Sequence, residues 1–547
     1  MAKKNYHAWR APDGRGGVFD NYPDCQSAFS GIRGEKHKGF ATFAEAWAFA
    51  FPGKPLPEAD DRPPAVAPLP ITTPPRGVSN TTSRPVPELD AEKVDRSPIG
   101  EAVREYSQKY RFAQLSEDQL RAVQAKDGRY LLFAVPGSGK TTVIMARTGY
   151  LIHACNIPAH QIMTLTFTRA AAVEMRDRYR KYFKDDLESD MPDFRTIHSF
   201  CYSIVLPRLR TAGYVFPKHV IDNSDGEDAK EHRKHSSHSI LSAVLRKNGI
   251  QRYGDETCQS LVNTAISGVK NRMLSIDALK GKLLRVDSRD IPLAPLVIAY
   301  EDALRELDCL DYDDMLIHAL QGLRACPEVL HTIQQRYLYW SIDETQDNSA
   351  LQHELIALLS SGSGNLFMVG DDDQSIYAFR GAEPSILLDY GEQSDVHVLT
   401  MGINYRSGRA IVESAKAFVE YNRHRMDKKM SAGKRFNGEI HFLDSFRHEE
   451  EQYAYIIAAA RNVQKEARRL GVLFQFNASA LPLMFLLRRE SIPYEASKGI
   501  QDICRGKIID SILKMFRFAL APNSFERFEQ CRDLLGLQTG KEHTAQI

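Results

Sequence analysis

Three regimes of hydrophobic patterning divide the chain. From about residue 101 onward, short runs that are apolar at nearly every position, such as Tyr130–Phe133, Tyr337–Ile342 and Leu366–Val369, alternate with segments of helical period. That rhythm predicts an α/β fold, a parallel sheet covered by helices. Residues 200–310 break it: they are polar and mostly helical in pattern, consistent with an insertion into the α/β domain. Residues 5–53 have a strand-like and a helix-like half, as a compact α+β module does. Between the two lies a stretch holding Pro55, Pro57, Pro63, Pro64, Pro68, Pro70, Pro74 and Pro75 among Ser, Thr and Asp, which reads as an extended tether. The expected domains are therefore 1–53, a linker at 54–100, a first α/β domain at 101–395 with its insertion at about 200–310, and a further domain at 396–547.

Charge adds little at this level. Lys plus Arg number 71 against 70 Asp plus Glu, so any affinity for a polyanion must come from local patches. No apolar stretch is long enough to span a bilayer, and the basic N-terminus leads into no signal-peptide core, so the expectation is a cytoplasmic protein without a membrane partner. Eight scattered cysteines form no C-x-x-C pair, which argues against a zinc ribbon, an iron–sulfur cluster or a disulfide framework.

The candidate chemistry sits where apolar runs end. Tyr130–Phe133 feeds into Ala134-Val135-Pro136-Gly137-Ser138-Gly139-Lys140-Thr141, followed by a helix from Thr142. Strand, glycine loop, Lys-Thr and helix are the context of a phosphate loop. Gly137 and Gly139 let backbone N–H groups converge on phosphate oxygens, Lys140 reaches the β- and γ-phosphates, and the Thr141 hydroxyl ligates Mg²⁺. Ala134 stands where the motif has glycine. Tyr337–Ile342 ends in Asp343-Glu344, adjacent carboxylates suited to holding Mg²⁺ (Asp343) and taking a proton from an attacking water (Glu344). Leu366–Val369 ends in Gly370 and the acidic run Asp371–Asp373, then Gln374, a neutral hydrogen-bonding group suited to sensing a γ-phosphate. Tyr377, Phe379 and Arg380 follow, the composition that stacks bases and holds a single strand. The three aspartates could ligate a metal, but a turn at the sheet edge is the preferred reading because Asp343 already supplies the ligand.

The order and spacing of these segments resemble the UvrD/Rep group of superfamily 1 DNA helicases over roughly residues 112–520. Leu115-Ser116-Glu117-Asp118-Gln119 is similar to the Q motif of that family, which implies that Gln119 reads the adenine edge. Thr166-Phe167-Thr168-Arg169 resembles motif Ia and Thr196-Ile197-His198-Ser199-Phe200 motif Ib, which implies strand contacts at Phe167, Thr168, Arg169 and His198; a hydrogen-bonded core histidine is the alternative at His198. Asp343–Asp347 matches D-E-x-Q-D, and Gly370–Ala382 matches motif III. Asn404-Tyr405-Arg406-Ser407 matches motif IV, implying that Tyr405 stacks on adenine and Arg406 touches the γ-phosphate. The resemblance implies a RecA-like P-loop NTPase domain with a helical insertion and a partial second RecA-like lobe. It further implies ATP and Mg²⁺ as cofactors and 3′-to-5′ movement on single-stranded DNA. Leu310-Asp311-Tyr312-Asp313-Asp314 resembles a family segment and reads as a helix cap rather than a metal cluster, and His232, His235 and His238 read as a solvated run.

Residues 6–52 resemble the hybrid-binding, viroplasmin-like domain found ahead of ribonuclease H, through Gly17-Val18-Phe19, Tyr22, Lys36, Lys38, Phe40-Ala41-Thr42 and Trp47-Ala48-Phe49. This implies that Tyr22, Lys36 and Lys38 grip an RNA–DNA hybrid or double-stranded RNA. Two later family motifs, T-L-H-x-A-K-G and V-x-x-T-R-A, are not found in the 547 residues. The expectation is that this polypeptide alone binds ATP–Mg²⁺ and single strands but turns over slowly. It would then act as an ATP-switched binding protein, or need a protein partner that supplies the absent arginine.

Overall fold

The computed structural model describes residues 6–10, 16–19, 36–40, 48–49, 93–110, 112, 114–184, 191–221, 237–250, 256–286, 289–422, 425–433, 437–443, 446, 448–466, 468–496, 507–520 and 527–528. The chain packs as two compact units, 1–438 and 439–547.

The first unit is built on a six-stranded sheet of β1 (Arg129–Ala134), β2 (Ile162–Thr166), β3 (Asp193–Thr196), β4 (Tyr339–Ile342), β5 (Leu366–Gly370) and β6 (Val396–Met401). The order is β6-β1-β5-β4-β2-β3, and every pairing is parallel. All residues of β2, β4 and β5 are buried, which is why those segments are apolar throughout rather than alternating. In β1 the two-residue period still shows: Leu131 and Phe133 enter one core with Met163, Trp340 and Met368, while Leu132 and Ala134 enter the other with Val143, Phe367 and Val369. The sheet runs past residue 395, since β6 pairs with β1 from Val396 to Met401. The N-terminal edge of the domain also lies inside the expected tether, because the Asp95 N–H donates to the Val398 carbonyl of β6 at 2.8 Å.

Parallel strands need crossovers, and helices supply them. Those that matter below are α1 (Glu117–Gln124), α2 (Lys140–His153), α3 (Arg169–Tyr182), α4 (Glu256–Asn271), α5 (Leu293–Glu306) and α6 (Tyr312–Ala325). The insertion has its own core, in which Leu241 and Leu245 meet Val262 and Ile266 of α4 and Leu296 and Tyr300 of α5. The Asp311 side chain caps α6 reciprocally with Asp314, as the sequence predicts.

The N-terminal segment forms a three-stranded antiparallel sheet in the order Gly16–Phe19, Tyr6–Arg10, Lys36–Phe40. In the second unit the described residues include the helices Glu449–Lys465, Leu481–Arg489 and Lys507–Ala519, and no strand lies among them; Leu483, Leu487 and Ile492 are its buried centre. No described helix is long and apolar enough to cross a membrane.

Candidate nucleotide and nucleic-acid site

Every strand of the large sheet delivers a motif at its carboxyl end: the phosphate loop after β1, Phe167–Thr168 after β2, Ile197–Phe200 after β3, Asp343–Glu344 after β4, Asp371–Gln374 after β5, and Asn404–Arg406 just beyond β6. That edge is where open α/β sheets bind ligands.

The phosphate loop depends on its two glycines. Gly137 and Gly139 have φ of 69° and 92°, and a Cβ on Gly137 would stand 2.6 Å from Asn404 Oδ1 and 2.7 Å from Arg406 Cβ. Ala134 ends a regular strand, so the methyl group in place of glycine meets no conformational demand. The loop is held from three sides. Val135 donates its N–H to the Met401 carbonyl, the Gly137 carbonyl accepts from Tyr405 N–H at 3.0 Å, and the Ser138 carbonyl accepts from Gln119 Nε2 at 2.8 Å. The other arm of the Gln119 amide accepts from Ser116 N–H at 2.8 Å and caps α1. Gln119, expected at the adenine edge, thus buttresses the loop. The Ser138 hydroxyl is buried with no hydrogen-bond partner, the condition of a group awaiting an anion. Lys140, Thr141 and Thr142 open α2, whose N-terminal dipole faces the same place.

The loop and the acidic strand end meet. Lys140 Nζ lies 3.0 Å from Glu344 Oε2, across 204 residues of sequence. Glu344 adopts φ 50°, ψ 45°, a left-handed conformation that a β-carbon disfavours and that functional sites retain. Asp343 is buried; burial first and the neighbouring Glu344 second push its carboxyl up to about 7, against the pull of Lys140. A buried carboxylate so poorly compensated, with the Thr141 hydroxyl at the head of α2, suits a hard divalent cation.

Gln346, a residue the sequence reading gave no role, ties this site to the next strand. Its Nε2 donates to Glu344 Oε2 at 2.9 Å and its Oε1 accepts from Asp371 N–H at 3.0 Å. Gln374, expected as the phosphate sensor, donates to Asp371 Oδ2 at 2.7 Å. Asp371–Asp373 bring their carboxylates together as a metal site would, yet the Lys428 ammonium stands among them, in line with a turn.

Beyond Gln374 the chain forms an aromatic platform. Phe167 and Tyr377 have ring centroids 4.8 Å apart, Tyr377 and Phe379 5.9 Å, and the Arg380 guanidinium lies 5.5 Å and 5.6 Å from the last two rings. Phe379 is 56% exposed, so an unstacked base can reach it. The insertion braces this loop: Arg272, just after α4, donates to the Ala378 carbonyl at 3.0 Å and to Glu383 at 3.2 Å. Thr168 caps α3 with its hydroxyl. His198 is half-buried beside Arg169, Arg195, Tyr202 and Tyr312 in a cleft of about 500 Å³. Burial and Arg169 hold its pKa down to about 4, so it is a neutral hydrogen-bonding group there. Tyr405 is 38% exposed beside the phosphate loop, and the Asn404 side chain fixes the turn by accepting from the N–H groups of Arg406 and Ser407. Lys36 and Lys38 are exposed on one edge strand of the N-terminal sheet; Tyr22, His232 and His235 lie outside the described residues.

Comparison with known proteins gives the family. Residues 14–50 match the ribonuclease H1 N-terminal domain. The chain is 27% identical over 401 residues to the ATP-dependent DNA helicase PcrA of Staphylococcus aureus, covering 72% of this chain and 52% of that protein. It is 30% identical over 404 residues to the putative ATP-dependent DNA helicase YjcD of Bacillus subtilis, covering 73% and 51%. The chain thus spans about half the length of the curated relatives it matches. Residues 115–395 match the UvrD/REP helicase N-terminal domain and residues 399–547 the UvrD-like helicase C-terminal domain, and the chain belongs to the UvrD/REP helicase family.

Proposed function

We propose that the chain uses ATP hydrolysis to move 3′ to 5′ along single-stranded DNA. The observation that carries this reading is the Lys140–Glu344 contact, which brings a phosphate-binding loop and a proton acceptor together beside the strand-facing platform. A triphosphate at the loop competes with Glu344 for the Lys140 ammonium. Glu344, still anchored by Gln346, is then available to take the proton of the water that attacks the γ-phosphorus as the β–γ bridging bond breaks. Thr141 and Asp343 would hold Mg²⁺, which neutralises phosphate charge when bound. Tyr405 would border the adenine while Gln119 holds the loop beside it, and Arg406 would reach the γ-phosphate from beyond β6.

Streptavidin displacement from biotinylated oligonucleotides tests the reading. ATP should release streptavidin from a 5′ end and not from a 3′ end, and single strands should stimulate hydrolysis. Release from the 3′ end contradicts the polarity. Nucleotide-sensitive DNA binding without stimulated turnover selects the ATP-switched binding protein, and turnover restored by a second polypeptide selects the partner-completed ATPase.

We further infer that the N-terminal module holds RNA–DNA hybrid. The match to the ribonuclease H1 N-terminal domain supports this, as do Lys36 and Lys38, which are two residues apart and so on one face of their strand. Replacing both by Ala should flatten the salt dependence of hybrid binding, each phosphate contact contributing a slope of about 0.9. An unchanged slope would remove the lysines from the interface.

A further inference from the structure

A buried lysine and a partly buried arginine with no part in the chemistry above grip its acidic turn. Lys428 Nζ lies 2.5 Å from Asp371 Oδ1, 2.5 Å from Asp372 Oδ1 and 2.9 Å from Asp373 Oδ2, with 2% of its side chain exposed. Arg425 donates to both oxygens of Asp373, at 2.9 Å and 2.8 Å, and Met426 N–H donates to Asp372 Oδ2 at 2.7 Å. Donors from one short segment thus match three consecutive carboxylates.

The same segment continues to the nucleotide loop. Met430 packs with Val135 of the phosphate loop and Val412. Ser431–Ala432 pairs in parallel with Ile403–Asn404, and Gly433 N–H donates to the Asn404 carbonyl at 2.9 Å. Gly433 lies so close to Tyr405 that a Cβ there would stand 2.8 Å from the ring.

We propose that residues 425–433 are a clip that makes the Asn404–Arg406 loop and the Asp371–Arg380 loop move as one body, with Lys428 as its positioning residue. The physical reason is the cost of separation. Sliding the acidic turn off the clip would strand three buried carboxylates without their cations, which the interior penalises far more than a concerted shift of both loops. A displacement of Tyr405 and Arg406 by bound nucleotide therefore reaches Tyr377, Phe379 and Arg380 through Met430, Lys428 and Asp371–Asp373. Nucleotide sets the grip on the strand by this route. The inference rests on the proposed ATP and DNA sites.

The test uses the full chain and measures binding of labelled oligo-dT by anisotropy, with and without a non-hydrolysable ATP analogue and Mg²⁺, alongside analogue binding itself. Wild type should show a change in DNA affinity of about tenfold on adding the analogue. Lys428→Met should leave each ligand's separate affinity within about twofold of wild type while the ratio collapses towards one, and Lys428→Arg should restore part of it. Arg425→Gln, a milder change at the rim, should reduce the ratio in the same direction and carries the test if Lys428→Met does not fold. Folded variants that keep the wild-type ratio overturn the clip, as do folded variants with an unchanged melting temperature that lose both affinities together. A wild-type chain that binds neither ligand sinks the proposed function instead, and one that binds both with no change in ratio leaves the clip nothing to transmit and overturns it.

Discussion

Replacing Glu344 by Gln should lower DNA-stimulated ATP turnover by about 10²–10⁴-fold, the range for losing a general base, while nucleotide remains bound. The substitution keeps the side chain's shape, and the Gln346 amide can still donate to the oxygen at that position. The left-handed backbone at residue 344 is equally strained with either residue, so little folding energy is at stake. What disappears is the ability to accept a proton from water. The ion pair to Lys140 also disappears, and this has a second consequence. With 36% of the Glu344 side chain exposed, the pair is partly screened and worth about 1 kcal/mol or less. Freeing Lys140 should therefore tighten ATP by a few-fold at most. A coupled ATPase assay and titration with a fluorescent ATP analogue read the two effects separately. Turnover within about tenfold of wild type would take the proton-accepting role from Glu344.

The nucleotide half of the site was legible in the sequence because its demands are local. A strand buried on both faces must be apolar at every position, and the turns that follow must be glycine where φ is positive, as at Gly137 and Gly139. The helix cap at Asp311 is local as well. The contacts that the sequence left hidden are those between polar residues distant along the chain. Lys428 sits in the run Arg425-Met426-Asp427-Lys428-Lys429, which has the composition of a solvated surface, and nothing in it marks a partner 57 residues away. Lys270 is similar. Asp311 and Asp314 cap α6 as expected, but their carboxylates also hold the Lys270 ammonium at 2.8 Å and 2.7 Å, together with Glu301, and so fix the insertion to the large domain. Gln119 shows a third kind of gap. The family resemblance implies a role for it at the nucleotide, while the geometry gives both arms of its amide to the scaffold. β6 was missed for a topological reason: its sequence follows the last strand-end motif of the first domain, and only the pairing with β1 assigns it to that sheet.

The aromatic platform and the acidic strand end share a frame. β2 and β4 are neighbours, and Phe167 and Asp343 follow their carboxyl ends. Tyr377 from the β5 loop packs onto Phe167, while Gln346 after β4 holds the start of that same loop at Asp371. The proposed strand-binding and nucleotide residues are thus one strand apart on a sheet whose buried faces resist deformation.

The central claim is that Thr141 and Asp343, brought by separate strands, serve one metal ion on one triphosphate. A double-mutant cycle on the Mg²⁺-dependent part of ATP affinity, with Thr141→Val, Asp343→Asn and the pair, tests it most directly. Asp343→Asn should cost about 10²-fold, the several kcal/mol of charge stabilisation that the ion supplies, and the double variant should lose little more than the worse single one. Losses that simply add, as they would for two residues serving separate sites, would contradict the account.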